Sequence, residues 1–194
     1  MFHPIPVGAA LGSSFVFRSV LLNLGKEAQV ITPDLAPTFY SWINGYKTIK
    51  AYERELEACD VIIDNAEVII MMDFNSLDRV KSMAEKIKSV NKTKIHIDHH
   101  IDPSIDVDVF FSNPEEPATC SYVYQILKEA GYEKYISLDA ATNFYAGIMT
   151  DTGGLSYNSS NPMIYYIVAQ LLEMGIDKMK VHEKIFNNKH MRQL

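Results

Sequence analysis

The sequence predicts an α/β fold, a parallel β-sheet with helices on both faces. Two observations carry this. Segments with apolar residues at helical spacing alternate with short runs rich in Val and Ile, and acidic or imidazole residues follow directly after two of those runs. Residues 11–25 form the first amphipathic segment, closed by Gly25, and 29–32 a short strand. The stretch 52–65 reads as helix followed by strand or as helix throughout, and helix is preferred. VIIMM at 68–72 is short and apolar enough for a buried strand, followed by a helix over 77–90. Strands at 94–97 and 107–111 come next, and helices at 119–131, 138–149 and 163–175 complete the pattern.

The chain has 194 residues, 47% apolar and 22% charged, sufficient for one domain with a sizeable core. No repeat or Gly/Ser/Pro linker divides it. No run approaches the roughly 20 apolar residues needed to span a bilayer, and MFHPIPVG lacks the pattern of a signal peptide, so a cytoplasmic protein is expected. Cys59 and Cys120 are far apart with no CxxC spacing, which fits small core or helix residues better than a disulfide or thiolate site. A formal charge of -6 argues against coating long duplex nucleic acid, which relies on Lys and Arg to release counterions. It leaves room for a short phosphorylated ligand, because bound divalent cations reverse the local field.

Ligands of parallel sheets bind outside the carboxyl ends of the strands. Asp73 follows VIIMM there, and Asp98-His99-His100 follows KIHI. Asp151 lies in GIMTDTGG, where two glycines let backbone approach a ligand, and His3 precedes the turn into the first helix. Taken alone, Asp73 reads equally as a helix cap. Three adjacent polar groups after a buried strand are costly unless they bind something. His96 reads as a core or surface histidine, His182 and His190 as surface residues, and Glu115-Glu116 with Asp102, Asp106 and Asp108 as solvated loop.

The ordered set HPIPVGAALGSS (3–14), MDFNSLDR (72–79), IDHH (97–100), PATCSYVY (117–124) and GIMTDTGG (147–154) resembles the DHH phosphoesterases. Within that RecJ-like family it is most similar to the bacterial oligoribonuclease and 3'-phosphoadenosine 5'-phosphate phosphatase branch, related to exopolyphosphatases. The resemblance implies a hydrolase with two Mn2+ ions, in which Asp73 bridges the ions, His99 and Asp151 complete the second site and His3 belongs to the first. It also implies that His100 contacts substrate phosphate or protonates the leaving group, that Asp98 orients the histidines, and that Ser13 and Ser14 help bind substrate. The expected partner is a short oligonucleotide or a small phosphorylated nucleotide.

The family's first motif reads His-x-x-x-Asp-x-Asp, but here Val7 and Ala9 stand where the two acids should be, amid otherwise matching residues. Neither can coordinate a cation, so one ion or none and impaired hydrolysis are expected. Alternatives are a non-catalytic nucleotide-binding module and an exopolyphosphatase- or pyrophosphatase-like hydrolase. The resemblance also implies that residues 1–194 hold the DHH domain alone, without its first strand and without the smaller substrate-binding DHHA1 domain. Apolar surface left uncovered in this way would favour a homodimer.

Overall fold

The computed structural model describes residues 8–186. His3, Val7 and His190, and the expectation of an absent first strand, lie outside them. Helix α1 spans Gly8–Asn23 and leads to two short parallel strands, β1 (Ile31–Thr32) and β2 (Lys50–Ala51). Helix α2 (Leu56–Asn65) precedes β3 (Val68–Met72), and α3 (Met83–Ser89) precedes β4 (Thr93–Asp98). After β5 (Val109–Ser112) come α4 (Thr119–Glu129), α5 (Leu138–Asp151), α6 (Pro162–Glu173) and α7 (Lys178–Phe186). The second sheet is parallel in the order β3-β4-β5, with Ile70 beside Ile95 and Ile97 beside Phe111. The fold is therefore the α/β arrangement expected.

Alternation of side chains along the strands divides the apolar residues between two faces. Met72 and Ile97 join a core with Val16, Val123, Phe144 and Ile164, from α1, α4, α5 and α6. Met71 joins the opposite core with Cys59, Ile63, Met83 and Ile87, from α2 and α3. A third cluster sets Leu11 and Phe15 of α1 against Val30, Tyr40 and Ile43.

Helix α1 lies close against α5 because both carry glycine at the contact. A Cβ on Gly12 would sit 2.8 Å from the Asn143 carbonyl, and one on Gly147 would sit 2.2 Å from Cys120 Sγ. Local caps fix where the helices begin: Ser137 accepts the Ala140 amide at α5, and Asn161 accepts the Met163 amide ahead of Pro162 at α6.

Five elements differ from expectation. The helix expected over 77–90 is broken. Ser76 caps a 3₁₀ turn at Leu77–Val80, and Lys81, with φ of 50° and an ion pair to Asp34, turns the chain before α3. In 52–65, residues 52–55 form a turn whose Arg54 and Glu55 amides reach the Ala51 carbonyl, so the helix starts only at Leu56 and no strand follows within the stretch. The strand expected at 29–32 shrinks to β1, and that at 107–111 starts later as β5. Strand β2 was not expected, since two residues without an apolar pattern give no periodic signal.

Candidate metal centre

Asp73 sits one residue beyond β3 in a left-handed conformation, φ 65°, a region that Asp tolerates better than most residues. Its amide bonds the Ile97 carbonyl, so the chain leaves the sheet only after β4 has fixed it. Asp98 is the last residue of β4, and His99 and His100 follow; Asp151 ends α5. Segments far apart in sequence thus converge at the carboxyl ends of β3 and β4.

His99 lies between two carboxylates, its Nε2 3.8 Å from Asp73 Oδ1 and 3.9 Å from Asp151 Oδ2. Its Nδ1 is 3.0 Å from the Glu116 carbonyl, which can only accept, so Nδ1 carries the hydrogen and Nε2 presents a lone pair in the neutral ring. His100 donates Nδ1–H to Asp98 Oδ1 at 2.6 Å. Asp73, His99 and His100 each bring one ligand atom within 4.8 Å of the others, while Asp151 adjoins this group through His99.

The acids differ in how they titrate. Burial, then the charges of Asp73 and Asp98, push the Asp151 carboxyl well above the ordinary range. Burial also raises Asp73, against the lowering effect of the Thr119 hydroxyl and the two histidines. For Asp98, burial is outweighed by the hydrogen bond and charge of His100, and its carboxyl is lowered. That bond in turn raises the His100 imidazole, with burial opposing. Two buried acids that resist ionisation, beside an imidazole with a free lone pair, form a donor set suited to a divalent cation. Asp151 Oδ2 is buried with no hydrogen-bond partner among the described residues. The oxygen and imidazole donors of Asp73, His99 and Asp151 therefore fit one such ion. Ala9, fully buried in α1, adds only a carbonyl already accepting from Ser13 and Cys120.

A cavity of about 410 Å³ opens at this point. Its polar end carries Asp73, Arg79, His99, His100 and Asp151, and its walls are the apolar residues of β1, β3, α2 and α3. Ser14 lines it. Ser13 does not serve as expected. Its hydroxyl is fully buried and donates to the Ala9 and Ala10 carbonyls of its own helix, because its face of α1 points into the packing.

His96 is a buried core histidine, hydrogen-bonded to the Phe74 carbonyl and stacked on Phe110. His182 is not simply on the surface. It is half-buried, and its Nε2 lies 2.8 Å from the Tyr145 hydroxyl. Nor is Glu116 solvated: it is 7% exposed and accepts the Ser121 hydroxyl, while its carbonyl holds His99. Sequence reasoning gave no role to Thr119, whose hydroxyl donates to Asp73 at 2.7 Å, to Arg79, or to Tyr40. The Tyr40 hydroxyl accepts the Gly8 amide at 2.9 Å, and its pKa is pushed up to about 12 chiefly by burial. Thr119 and Arg79 lie within the quoted motifs, but only the folded chain reveals what they face.

A crystal structure of an exopolyphosphatase-related protein from Bacteroides fragilis superposes with a TM-score of 0.91 at 39% identity, covering 93% of this chain and 53% of that one. An uncharacterized protein of Mycoplasma pneumoniae is 28% identical over 190 residues, 95% of this chain and 53% of its own length. The bifunctional oligoribonuclease and PAP phosphatase NrnA of Thermus thermophilus is 25% identical over 185 residues, 94% and 52% respectively. The chain spans about half the length of these relatives. Among the described residues no helix is long and apolar enough to cross a membrane. The N-terminal domain of the DHH family matches residues 7–148, and the chain belongs to that family.

Proposed function

We propose that this chain is the metal-binding half of a phosphoesterase, holding one divalent cation, Mn2+, between Asp73, His99 and Asp151. The observation that carries the reading is the buried, partnerless Asp151 Oδ2 beside the His99 ring nitrogen that presents its lone pair. A cation bound there would polarise a phosphoryl oxygen and make water a better nucleophile at neutral pH. Glu116 and Thr119 orient His99 and Asp73 for binding. His100, held by Asp98 and keeping its proton to higher pH, is placed to protonate a leaving oxygen or to donate to a phosphate. Arg79 lines the same end, and its charge bears on His100, consistent with an anionic substrate.

The substrates in this reading are short oligonucleotides or 3'-phosphoadenosine 5'-phosphate, in line with the name of the Thermus relative. Val7 and Ala9 supply no carboxylate for a second ion, so turnover is strongly reduced. One observation favours a second reading, a non-catalytic nucleotide-binding module: buried Ala9 has only a methyl side chain at a position where the family has an acid. The exopolyphosphatase-related neighbour keeps polyphosphate or pyrophosphate among the candidates.

The deciding experiment is Mn2+ calorimetry with hydrolysis of bis-p-nitrophenyl phosphate, pyrophosphate and short oligonucleotides. It compares this chain with a Val7→Asp, Ala9→Asp version, both extended to the full length of the relatives. One ion and weak turnover here, with two ions and strong turnover in the restored protein, support the proposal. Metal binding by neither protein refutes the placement of the site.

A further inference from the structure

We propose that the cavity between the Trp42 indole and α7 is a second ligand site, built for a nucleoside monophosphate and separate from the metal centre. Its volume is about 510 Å³, larger than the cavity at the metal centre and within the roughly 300 to 1,000 Å³ usual for small-molecule sites. The two cavities lie at opposite ends of α5. Leu138 and Asp139, at its start, line this one, whereas Asp151, its last residue, lines the other. A helix of 14 residues is about 20 Å long, too far for one small ligand to occupy both.

The walls are fixed before any ligand arrives. Asn143 of α5 accepts the Asn44 amide at 3.2 Å and donates to the Asn44 carbonyl at 2.8 Å, which pins the segment carrying Trp42. Trp42, Leu138, Ile176 and Val181 make the apolar side of the cavity. The polar groups left without partners are mostly donors. Trp42 Nε1 is buried with no hydrogen-bond partner among the described residues, and an indole N–H can only donate. A buried donor in that state calls for an acceptor supplied from outside the chain. Lys180 and Lys184 stand one turn apart on α7, hence on one face, and neither is ion-paired among the described residues. Asp177 beside them commits one carboxylate oxygen to the Lys180 amide at 3.0 Å. Two such cations and an orphaned N–H at one cavity suit a phosphate, which offers several charged acceptor oxygens. The indole wall suits a flat ring. Asp139, exposed and without a recorded partner among the described residues, offers a carboxylate to sugar hydroxyls. Phosphate, flat ring and sugar hydroxyls occur together in a nucleoside monophosphate. The inference does not rest on the proposed chemistry at the metal centre.

Trp42 is the single tryptophan of the chain, so its emission reports on this cavity directly. It is excited at the red edge of its absorption, where the nucleotide is transparent, with the chain in chelator to keep the metal centre empty. Titration with 5'-AMP should change the emission saturably, and adenosine or inorganic phosphate alone should bind at least about tenfold more weakly. Lys180→Ala and Lys184→Ala should each weaken 5'-AMP binding by about fivefold or more. Both lysines are exposed, so the variants should fold as the parent does, which circular dichroism checks. Asp73→Asn, at the metal centre, should leave the affinity for 5'-AMP unchanged. The absence of a saturable change up to about 10 mM 5'-AMP, a concentration above any specific affinity, overturns the proposal. So does an affinity that both lysine variants leave intact or that Asp73→Asn abolishes, since either places the nucleotide elsewhere. Binding of phosphate alone or of adenosine alone as tight as that of 5'-AMP overturns it too, because the site would then recognise only half of the ligand.

Discussion

Thr119 donates its hydroxyl hydrogen to Asp73 Oδ1 over 2.7 Å, so the first residue of α4 holds the carboxylate that follows β3. Replacing Thr119 with Val keeps the shape and removes the donor. Mn2+ affinity, measured by calorimetry, should fall about tenfold to a hundredfold, as is typical when a metal ligand loses its orienting partner. Thr119→Ser should retain most of the affinity.

Asp151 illustrates a conflict between stability and binding. Its buried carboxyl is hard to ionise without a cation, so Asp151→Asn should stabilise the metal-free chain by roughly 1 to 2 kcal/mol. In thermal melts the variant should unfold at a higher temperature than the parent in chelator. Adding Mn2+ should then raise the parent's midpoint but not the variant's.

The same groups set a pH dependence. The Asp151 carboxyl is raised well above 3.8, so between that value and its folded pKa the native state binds more protons than the unfolded chain. His100, raised above 6.5 by Asp98, acts in the same direction at higher pH. Metal-free stability should therefore decline as pH rises through these windows. Asp98 is lowered, and its contribution is lost only as pH falls below 3.8. Denaturant midpoints in chelator across about pH 4 to 8, which brackets the ordinary carboxylate and imidazole values, should fall toward the alkaline end. With Mn2+ the trend should reverse, because the cation binds the deprotonated ligands.

Much of the candidate site was legible because Asp73 and Asp98-His99-His100 stand at the ends of buried strands. An Asp after VIIMM and Asp-His-His after KIHI reach the carboxyl edge of any parallel sheet, whatever the remaining packing. The sequence offers no comparable signal for Thr119, Glu116 or Tyr40, whose roles depend on contacts across 46, 17 and 32 positions. Ser13 was misread because motif position does not say which side of a helix faces the cavity. The break at Lys81 was hidden for a similar reason, since its partner Asp34 lies in another part of the chain.

The packing beneath the site gives a steric prediction. Gly147→Ala would put a Cβ 2.2 Å from Cys120 Sγ, closer than either helix can accommodate without moving. The cost should be roughly 1 to 3 kcal/mol. Cys120→Ala removes the obstructing sulfur, so the double variant should recover part of the loss in urea melts, an interaction energy that a double-mutant cycle reads directly.

The division of the apolar interior has a consequence for how the protein opens. Met72 and Ile97 belong to one core and Met71 to the opposite one, with Asp73 and Asp98-His99-His100 at the ends of the strands they share. Each core is a candidate unit for separate local unfolding, with its own free energy for amide exchange. A ligand held jointly by Asp73, His99 and Asp151 would bind only while β3, β4 and α5 are all in place. Its binding energy would then be added to every opening that separates them. Slowed exchange would extend to helices that touch no ligand, and two partly independent units would come to open as one.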